Sequence, residues 1–217
     1  MEVLNLEEFF SSLLQQGITF FAIMDPIGVS AIALSLLSND ITKEQISKVA
    51  LKSTVTIIIA FFVVLITGDF ILQLFGIGEH SLKVMGGIIL LLMAISMVNG
   101  SATDKKPTKE EGKDLQNADE LSVIPIGIPI AFGTGLFTTI IIFKHQAEVF
   151  SDLLAITIAF LVNALIFYIV LKNSIYIKKY LGLTGQNIIT KLMGLIVGAI
   201  SVQFIVSGVI HLSQKYL

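Results

Sequence analysis

Residues 9–39 read FFSSLLQQGITFFAIMDPIGVSAIALSLLSN, an apolar stretch in which Asp25 is the one charged residue. At 1.5 Å per residue, a helix of this length exceeds what is needed to cross a hydrocarbon core of roughly 30 Å. Pro26 lacks an N–H and its ring clashes with the preceding turn, so a helix arriving from Phe9 should break there. Asp25 is also a good N-cap, and Pro26 a good first residue, for a new helix. The stretch therefore predicts a broken membrane-spanning helix.

The rest of the chain has the same apolar character. Of its 217 residues, 54% are hydrophobic and 14% are charged, and its mean hydropathy of +0.89 lies well above that of a soluble domain. Five further spans are predicted from the uncharged stretches 53–68, 84–103, 121–143, 153–171 and 192–210. The first span is predicted to be retained, because the N-terminus carries acidic residues and no lysine, unlike a cleaved signal peptide.

Several classes of function lack support in the sequence. The chain has no cysteine, which excludes disulfides, thiol catalysis and thiolate metal sites. It also has no His/Glu cluster, no Gly-x-Ser-x-Gly motif and no P-loop, so we expect neither an enzyme nor an ATP-driven pump, and no metal or cofactor. The formal net charge of −2 gives no reason to expect nucleic acid as a partner.

The lysines predict the orientation of the spans in a cell membrane. If the N-terminus lies outside, eleven of the 14 lysines fall in inner connections and three fall outside. Lysines in short loops set orientation, so both termini are predicted to lie outside. The polar segment 101–120 mixes four lysines with six acidic residues and is interpreted as a solvated cytoplasmic linker.

The two halves of the chain match when one is shifted by about 108 residues. The shift places Lys83-Val-Met-Gly86 on Lys191-Leu-Met-Gly194, and Asp25-Pro26 on Gly133-Thr134. Each half holds three spans, so the second half must start on the opposite side of the membrane. The predicted fold is an all-α membrane protein of six transmembrane helices in two inverted three-helix repeats, residues 1–100 and 121–217, with the first and fourth helices broken.

The second predicted break lies at Gly133-Thr134-Gly135, after Pro125 and Pro129. Glycine releases the backbone from helical geometry, and Thr134 could cap the helix that follows. Two half-helix N-termini would then meet near the membrane midplane, where their N–H groups favour an anionic group. The predicted binding residues are Asp25, Pro26, Ile27, Gly28, Gly133, Thr134 and Gly135.

A simpler interpretation applies to each polar feature. Proline and glycine are common in membrane helices, and a single kink is usually a matter of packing. Two breaks at repeat-related positions, one with a carboxylate, favour function, because a charge at that depth is costly. Mid-span Asn163 and Gln203 are interpreted as interhelical hydrogen-bonding residues, and the glycines at 86–87, 194 and 198 as close-packing sites.

The motifs resemble those of the MarC family over nearly the whole chain. They are Phe21-x-x-x-Asp-Pro-Ile-Gly28, Phe75-Gly-Ile-Gly78 leading to Gly86-Gly87, Pro125-x-Gly-x-Pro129 before Gly133-x-Gly135, and Lys191-Leu-Met-Gly-Leu with Val202-Gln-Phe-Ile-Val-Ser-Gly208. The resemblance implies six spans, and transport of small neutral amino acids such as glycine and alanine with coupling to protons. The family has Gly-Pro-Gly in its second half, whereas Thr134 replaces that proline here and adds a hydroxyl.

The resulting hypothesis is a secondary transporter for a small zwitterionic amino acid. The two half-helix N-termini would hold its carboxylate, and Asp25 would face its ammonium group or carry the coupling proton. The alternative is a membrane scaffold or assembly protein that transports nothing and whose broken helices are structural. A channel is a weaker third possibility, because no ring of like charges or filter sequence is visible.

Overall fold

The structure is a computed structural model that describes residues 6–37, 41–100 and 122–216. Within these ranges the protein is helical and contains no strand. The helices are α1 (Leu6–Met24), α2 (Pro26–Leu36), α3 (Lys43–Leu74), α4 (Glu79–Asn99), α5 (Thr134–Gln146), α6 (Phe150–Lys172) and α7 (Ser174–Tyr216). An irregular helical segment, Ser122–Ala131, precedes α5. The predicted linker, 101–120, lies outside the described residues.

Five helical stretches are long and apolar enough to span a membrane: Leu6–Leu36, Lys43–Leu74, Glu79–Asn99, Phe150–Lys172 and Ser174–Gln214. A sixth results if Ser122–Ala131 and α5, which meet at 58°, form one span. The prediction of a multi-span helical protein is confirmed, with five to six spans in the described part of the chain.

The start of the second half is irregular because of its two prolines. Ile124 (φ −128°, ψ 123°) and Ile128 (φ −132°, ψ 128°) have extended backbone inside the Ser122–Ala131 segment. Each precedes a proline, whose ring disfavours helical geometry for the residue before it. The backbone carbonyl of Ser122 accepts a 2.7 Å hydrogen bond from the Ser53 hydroxyl of α3. This irregular segment is therefore tied to a neighbouring helix.

Glycines bring α4 and α7 into close contact. A Cβ on Gly87 would lie 2.8 Å from the Ser201 carbonyl oxygen, and a Cβ on Gly194 would lie 3.1 Å from that of Ala94. Higher residue numbers on α4 thus meet lower numbers on α7, so the two helices are antiparallel. The predicted close-packing role of Gly87 and Gly194 is confirmed.

Aromatic rings join the first span to α3 and α6. Phe61 stacks on Phe160 with ring centroids 4.1 Å apart, and Phe20 meets Phe160 edge to face at 5.4 Å. The Asn163 amide of α6 donates to the Gly17 carbonyl of α1 at 3.0 Å, which confirms its predicted interhelical hydrogen bond. Around this core, α2 packs against α6 and α7, and α5 packs against α3 and α4.

Candidate functional site

Asp25 lies between the end of α1 and the start of α2. Its backbone is left-handed (φ 38°, ψ 66°), the one non-glycine residue with positive φ in the described ranges. Aspartate enters this region more readily than most residues. Its Oδ1 accepts a hydrogen bond from the Gly28 N–H at 3.1 Å, and its carbonyl accepts one from the Val29 N–H at 2.9 Å. Asp25 is therefore the N-cap of α2, as predicted from the sequence.

The Asp25 side chain is 6% exposed and lines a cavity of about 350 Å³ between helices. We call this space the Asp25 cavity. Its lining comes from the ends of α1 and α2, from α4, from the Ser122–Ala131 segment and from α7. The lining residues are Ile23, Met24, Asp25, Gly28, Val29, Ala31, Ile32, Leu92, Met93, Ser96, Met97, Ile130, Gln186, Asn187 and Thr190. Among them Asp25 is the one ionisable side chain.

Helix α7 supplies polar groups to the cavity. The helix is interrupted at Gly182 (φ 62°, ψ 179°), and Gln186 and Thr190 follow on one face, four residues apart. The Thr190 hydroxyl lies beside the Asp25 carboxylate. A Cβ on Gly28 would lie 2.7 Å from Thr190 Oγ1 and would overlap Asp25 Oδ2. Gly28 therefore leaves room for this pair of side chains.

Gln186 is 1% exposed, and neither its Oε1 nor its Nε2 has a hydrogen-bond partner among the described residues. An unpaired buried polar group costs roughly 1–3 kcal/mol of stability, and such groups in native proteins call for a specific explanation. The Asp25 cavity thus presents a carboxylate, a hydroxyl and a carboxamide with free hydrogen-bonding capacity. These groups can bind a small polar molecule.

The predicted residues of the first break divide between the cavity and the helix. Asp25 and Gly28 line the Asp25 cavity, whereas Pro26 and Ile27 form the first turn of α2 outside its lining. The N-terminus of α2 was predicted to hold a substrate carboxylate through its backbone N–H groups. Of these, the Gly28 N–H is bonded to Asp25, because a short aspartate side chain reaches back to the third residue of its own helix.

The predicted residues of the second break lie elsewhere. Gly133 and Thr134 line a separate, largely apolar cavity of about 700 Å³ beside α3. Gly135 is buried, and a Cβ there would lie 2.9 Å from Leu90 Cδ2 and 3.3 Å from Ile23 Cγ2. Because Ile23 lines the Asp25 cavity, Gly135 lies behind that cavity's wall. Gly133 and Thr134 are not among the residues that line the Asp25 cavity.

The predicted cap of α5 was wrong. Gly133, not Thr134, is the N-cap, and no side chain hydrogen-bonds this end of the helix. Thr134 is the first helical residue instead and is exposed. The backbone of Gly133 is extended (φ −90°, ψ −177°), a conformation open to any residue, so the turn does not require glycine at this position.

Gln186 and Thr190 were not predicted from the sequence to be site residues. The sixth span was predicted to start at Leu192, because lysines 172, 178, 179 and 191 gave the preceding stretch the composition of a loop. The structure extends the helix back to Ser174. The signal available was the helical spacing of Gln186 and Thr190 after the helix breaker Gly182.

Known proteins resemble this chain over almost its whole length. Residues 10–212 match the model of the MarC family integral membrane proteins. A UPF0056 membrane protein of Aquifex aeolicus is 32% identical over 95% of this chain and 96% of its own. The UPF0056 membrane protein YhcE of Escherichia coli is 30% identical over 88% of this chain and 89% of its own.

The similarity extends to archaea. A UPF0056 membrane protein of Methanocaldococcus jannaschii, MJ1677, is 30% identical over 88% of this chain and 92% of its own. No solved structure matches the chain. The family match and these relatives agree with the apolar helices of the fold, and the chain belongs to the MarC family of integral membrane proteins.

Proposed function

We propose that this protein is a secondary transporter of small neutral amino acids of about glycine or alanine size. The observation that carries the proposal is a buried carboxylate, Asp25, in a cavity at the interruption between two helices of one candidate span. A carboxylate inside a membrane protein is expensive and marks a binding or ion pathway by default. Interrupted helices near the midplane are where secondary transporters bind substrates.

The size and lining of the cavity support a small neutral substrate. Its volume of about 350 Å³ is near the lower end of the range for small-molecule sites, roughly 300–1,000 Å³. Met24, Val29 and Met93 give apolar walls around the polar groups. Asp25 can hold an ammonium group there. The same carboxylate is the candidate carrier of a coupling proton, because it is the one ionisable side chain in the lining.

The arrangement of helices supports two inverted repeats and thus alternating access. Under the 108-residue shift, α4 corresponds to α7, and an inverted relation requires these two helices to be antiparallel, as they are. The same shift exchanges α2 with α5 and α3 with α6. The contacts of α2 with α6 and α7 then correspond to those of α5 with α3 and α4. Rocking of one repeat against the other would expose the Asp25 cavity to each side in turn.

Uptake into proteoliposomes tests the proposal. Purified protein should take up labelled glycine and alanine, and an inward proton gradient should increase uptake if Asp25 carries the coupling proton. Protein-free liposomes and liposomes containing Asp25→Asn are the controls. If wild-type protein shows neither net uptake nor exchange of either amino acid, in liposomes loaded or empty, transport is rejected in favour of the scaffold alternative.

A further inference from the structure

Gln186 is a buried amide that the packing of the protein does not use. Both of its polar atoms lack hydrogen-bond partners among the described residues, although the side chain is 1% exposed. Nearly all buried side-chain polar groups in folded proteins are hydrogen-bonded. The side chain lines the Asp25 cavity, although its two polar atoms are themselves buried, so a molecule bound there meets the amide once the side chain turns toward it.

Thr190 connects Gln186 with Asp25. Thr190 lies one turn along α7 from Gln186, and its hydroxyl and the Asp25 carboxylate both lie against Gly28. Residues four apart lie on the same face of a helix. Gln186 and Asp25 are therefore neighbours on the wall of one small cavity, supplied by different helices.

The chemistry of the lining limits what Gln186 can recognise. A carboxamide offers two N–H donors and one acceptor. The lining residues include no lysine or arginine, and Asp25 is their one ionisable side chain. The cavity therefore has no cation to hold an anionic group. A carboxylate placed there needs neutral donors, and the unpaired Nε2 of Gln186 is one.

We propose that Gln186 binds the carboxylate of the substrate while Asp25 binds its ammonium group. The two residues together select molecules that carry both groups on one carbon, and they disfavour simple amines, simple carboxylic acids and anionic amino acids. This inference rests on the proposed transport function. It assigns the recognition of the carboxylate to a side chain of α7, not to the N-termini of α2 and α5.

The test measures ligand binding by calorimetry, together with melting temperature, for the full-length protein in detergent. Gln186→Leu should lower the affinity for alanine by about tenfold or more, because a hydrogen bond to a charged group is lost. Its melting temperature should not fall, since an apolar side chain of similar size replaces an unpaired polar one. Gln203→Leu is the matched control: it lies on the same helix, is exposed and lies outside the Asp25 cavity.

Gln186→Glu provides a change of selectivity that a structural role would not produce. It replaces a donor with a negative charge of the same shape, so alanine should bind worse than in Gln186→Leu. Alaninamide keeps the ammonium group and has no carboxylate. In Gln186→Glu the ratio of alaninamide affinity to alanine affinity should therefore rise by about tenfold or more over that of wild type. The new negative charge repels the carboxylate of alanine, and alaninamide has no carboxylate to repel.

The possible results distinguish a failure of the Gln186 assignment from a failure of the transport proposal. If wild type binds alanine and Gln186→Leu binds it equally well, the assignment of Gln186 fails while transport stands. A lower melting temperature in Gln186→Leu, with an unchanged ratio of alaninamide to alanine affinity in Gln186→Glu, also assigns Gln186 to packing. If wild type neither binds nor transports glycine or alanine, the transport proposal fails, and the inference fails with it.

Discussion

The Gly28 backbone N–H donates to Oδ1 of Asp25 at 3.1 Å, and this bond defines the start of α2. The same carboxylate also lies beside the Thr190 hydroxyl of α7. One side chain thus caps a helix, contacts a distant helix and lines a cavity. Capping and binding are therefore not alternatives for Asp25, because the cap holds the carboxylate in the position where a ligand would meet it.

Asp25→Asn should separate the charge of this residue from its role as a cap. Asparagine caps helices about as well as aspartate, and it also tolerates the left-handed backbone found here. We expect a melting temperature close to that of wild type and a loss of most uptake of glycine and alanine. Thermal unfolding in detergent and uptake by proteoliposomes are the two measurements.

Asp25→Ala is the matched control for that experiment. Loss of an N-cap side chain costs about 1 kcal/mol, and alanine is also disfavoured at positive φ. This variant should therefore melt at a lower temperature as well as lose uptake. If Asp25→Asn folds and transports at the wild-type rate at every pH, Asp25 is a cap alone, and the binding site lies elsewhere.

Gly86 should be required for the contact between α4 and α5. A Cβ on Gly86 would overlap Thr138 Cγ2 of α5. Gly86→Ala should therefore destabilise the protein by roughly 1–3 kcal/mol, the usual cost of overpacking. Adding Thr138→Ser should restore much of this loss. It removes the methyl group in question and keeps the hydroxyl that donates to the Thr134 carbonyl at 2.8 Å.

A double-mutant cycle of melting temperatures measures the coupling between Gly86 and Thr138. Thr138→Ser alone should have a small effect. A combined variant whose destabilisation equals the sum of the two single changes would show that α4 and α5 do not meet through these two side chains.

Features with local causes could be predicted from the sequence. Hydropathy located the membrane helices, because a helix in lipid must be apolar along its length. The end of α1 at Met24 and the start of α2 at Pro26 follow from the chemistry of Asp25 and Pro26 themselves. The hydrogen bond of Asn163 followed from its mid-span position, because a polar side chain there needs a partner on another helix.

Features that depend on long-range packing could not be predicted in this way. Gln186 and Thr190 lie in a stretch with the polar composition of a loop. They line a cavity because α7 packs against α2, a contact that the sequence does not indicate. Gly133 and Thr134 correspond to Asp25 and Pro26 in the repeat, yet they face a different cavity. A repeat fixes the order of helices, but it does not fix which cavity each turn faces.

The orientation of the chain should follow its lysines, so residues near Lys178 should face the cytoplasm. The absence of cysteine allows single-cysteine labelling without a modified background. Tyr180→Cys, at an exposed position of α7, should react with an impermeant maleimide only after the membrane is opened. Glu148→Cys, between α5 and α6, should react in intact cells. The reverse pattern would place both termini inside.

Gly135 should matter to substrate size because it lies behind the wall of the Asp25 cavity. A Cβ there would lie 2.9 Å from Leu90 Cδ2, 3.3 Å from Ile23 Cγ2 and 3.6 Å from Met93 Sδ. Ile23 and Met93 line the cavity, so an added methyl group should move them inward. Gly135→Ala should therefore lower the affinity for alanine more than that for glycine, and should also lower the melting temperature.

Gly198→Ala is the control for this change, since its Cβ would lie 3.5 Å from Ala94 Cβ, an ordinary contact. Alanine also favours a helix over glycine by about 1 kcal/mol. This variant should be as stable as wild type or more so, with the ratio of glycine to alanine affinity unchanged. If Gly135→Ala lowers the melting temperature yet leaves both affinities as they are, Ile23 and Met93 do not set the size of the site. Gly135 would then serve only the packing of α5 against α4.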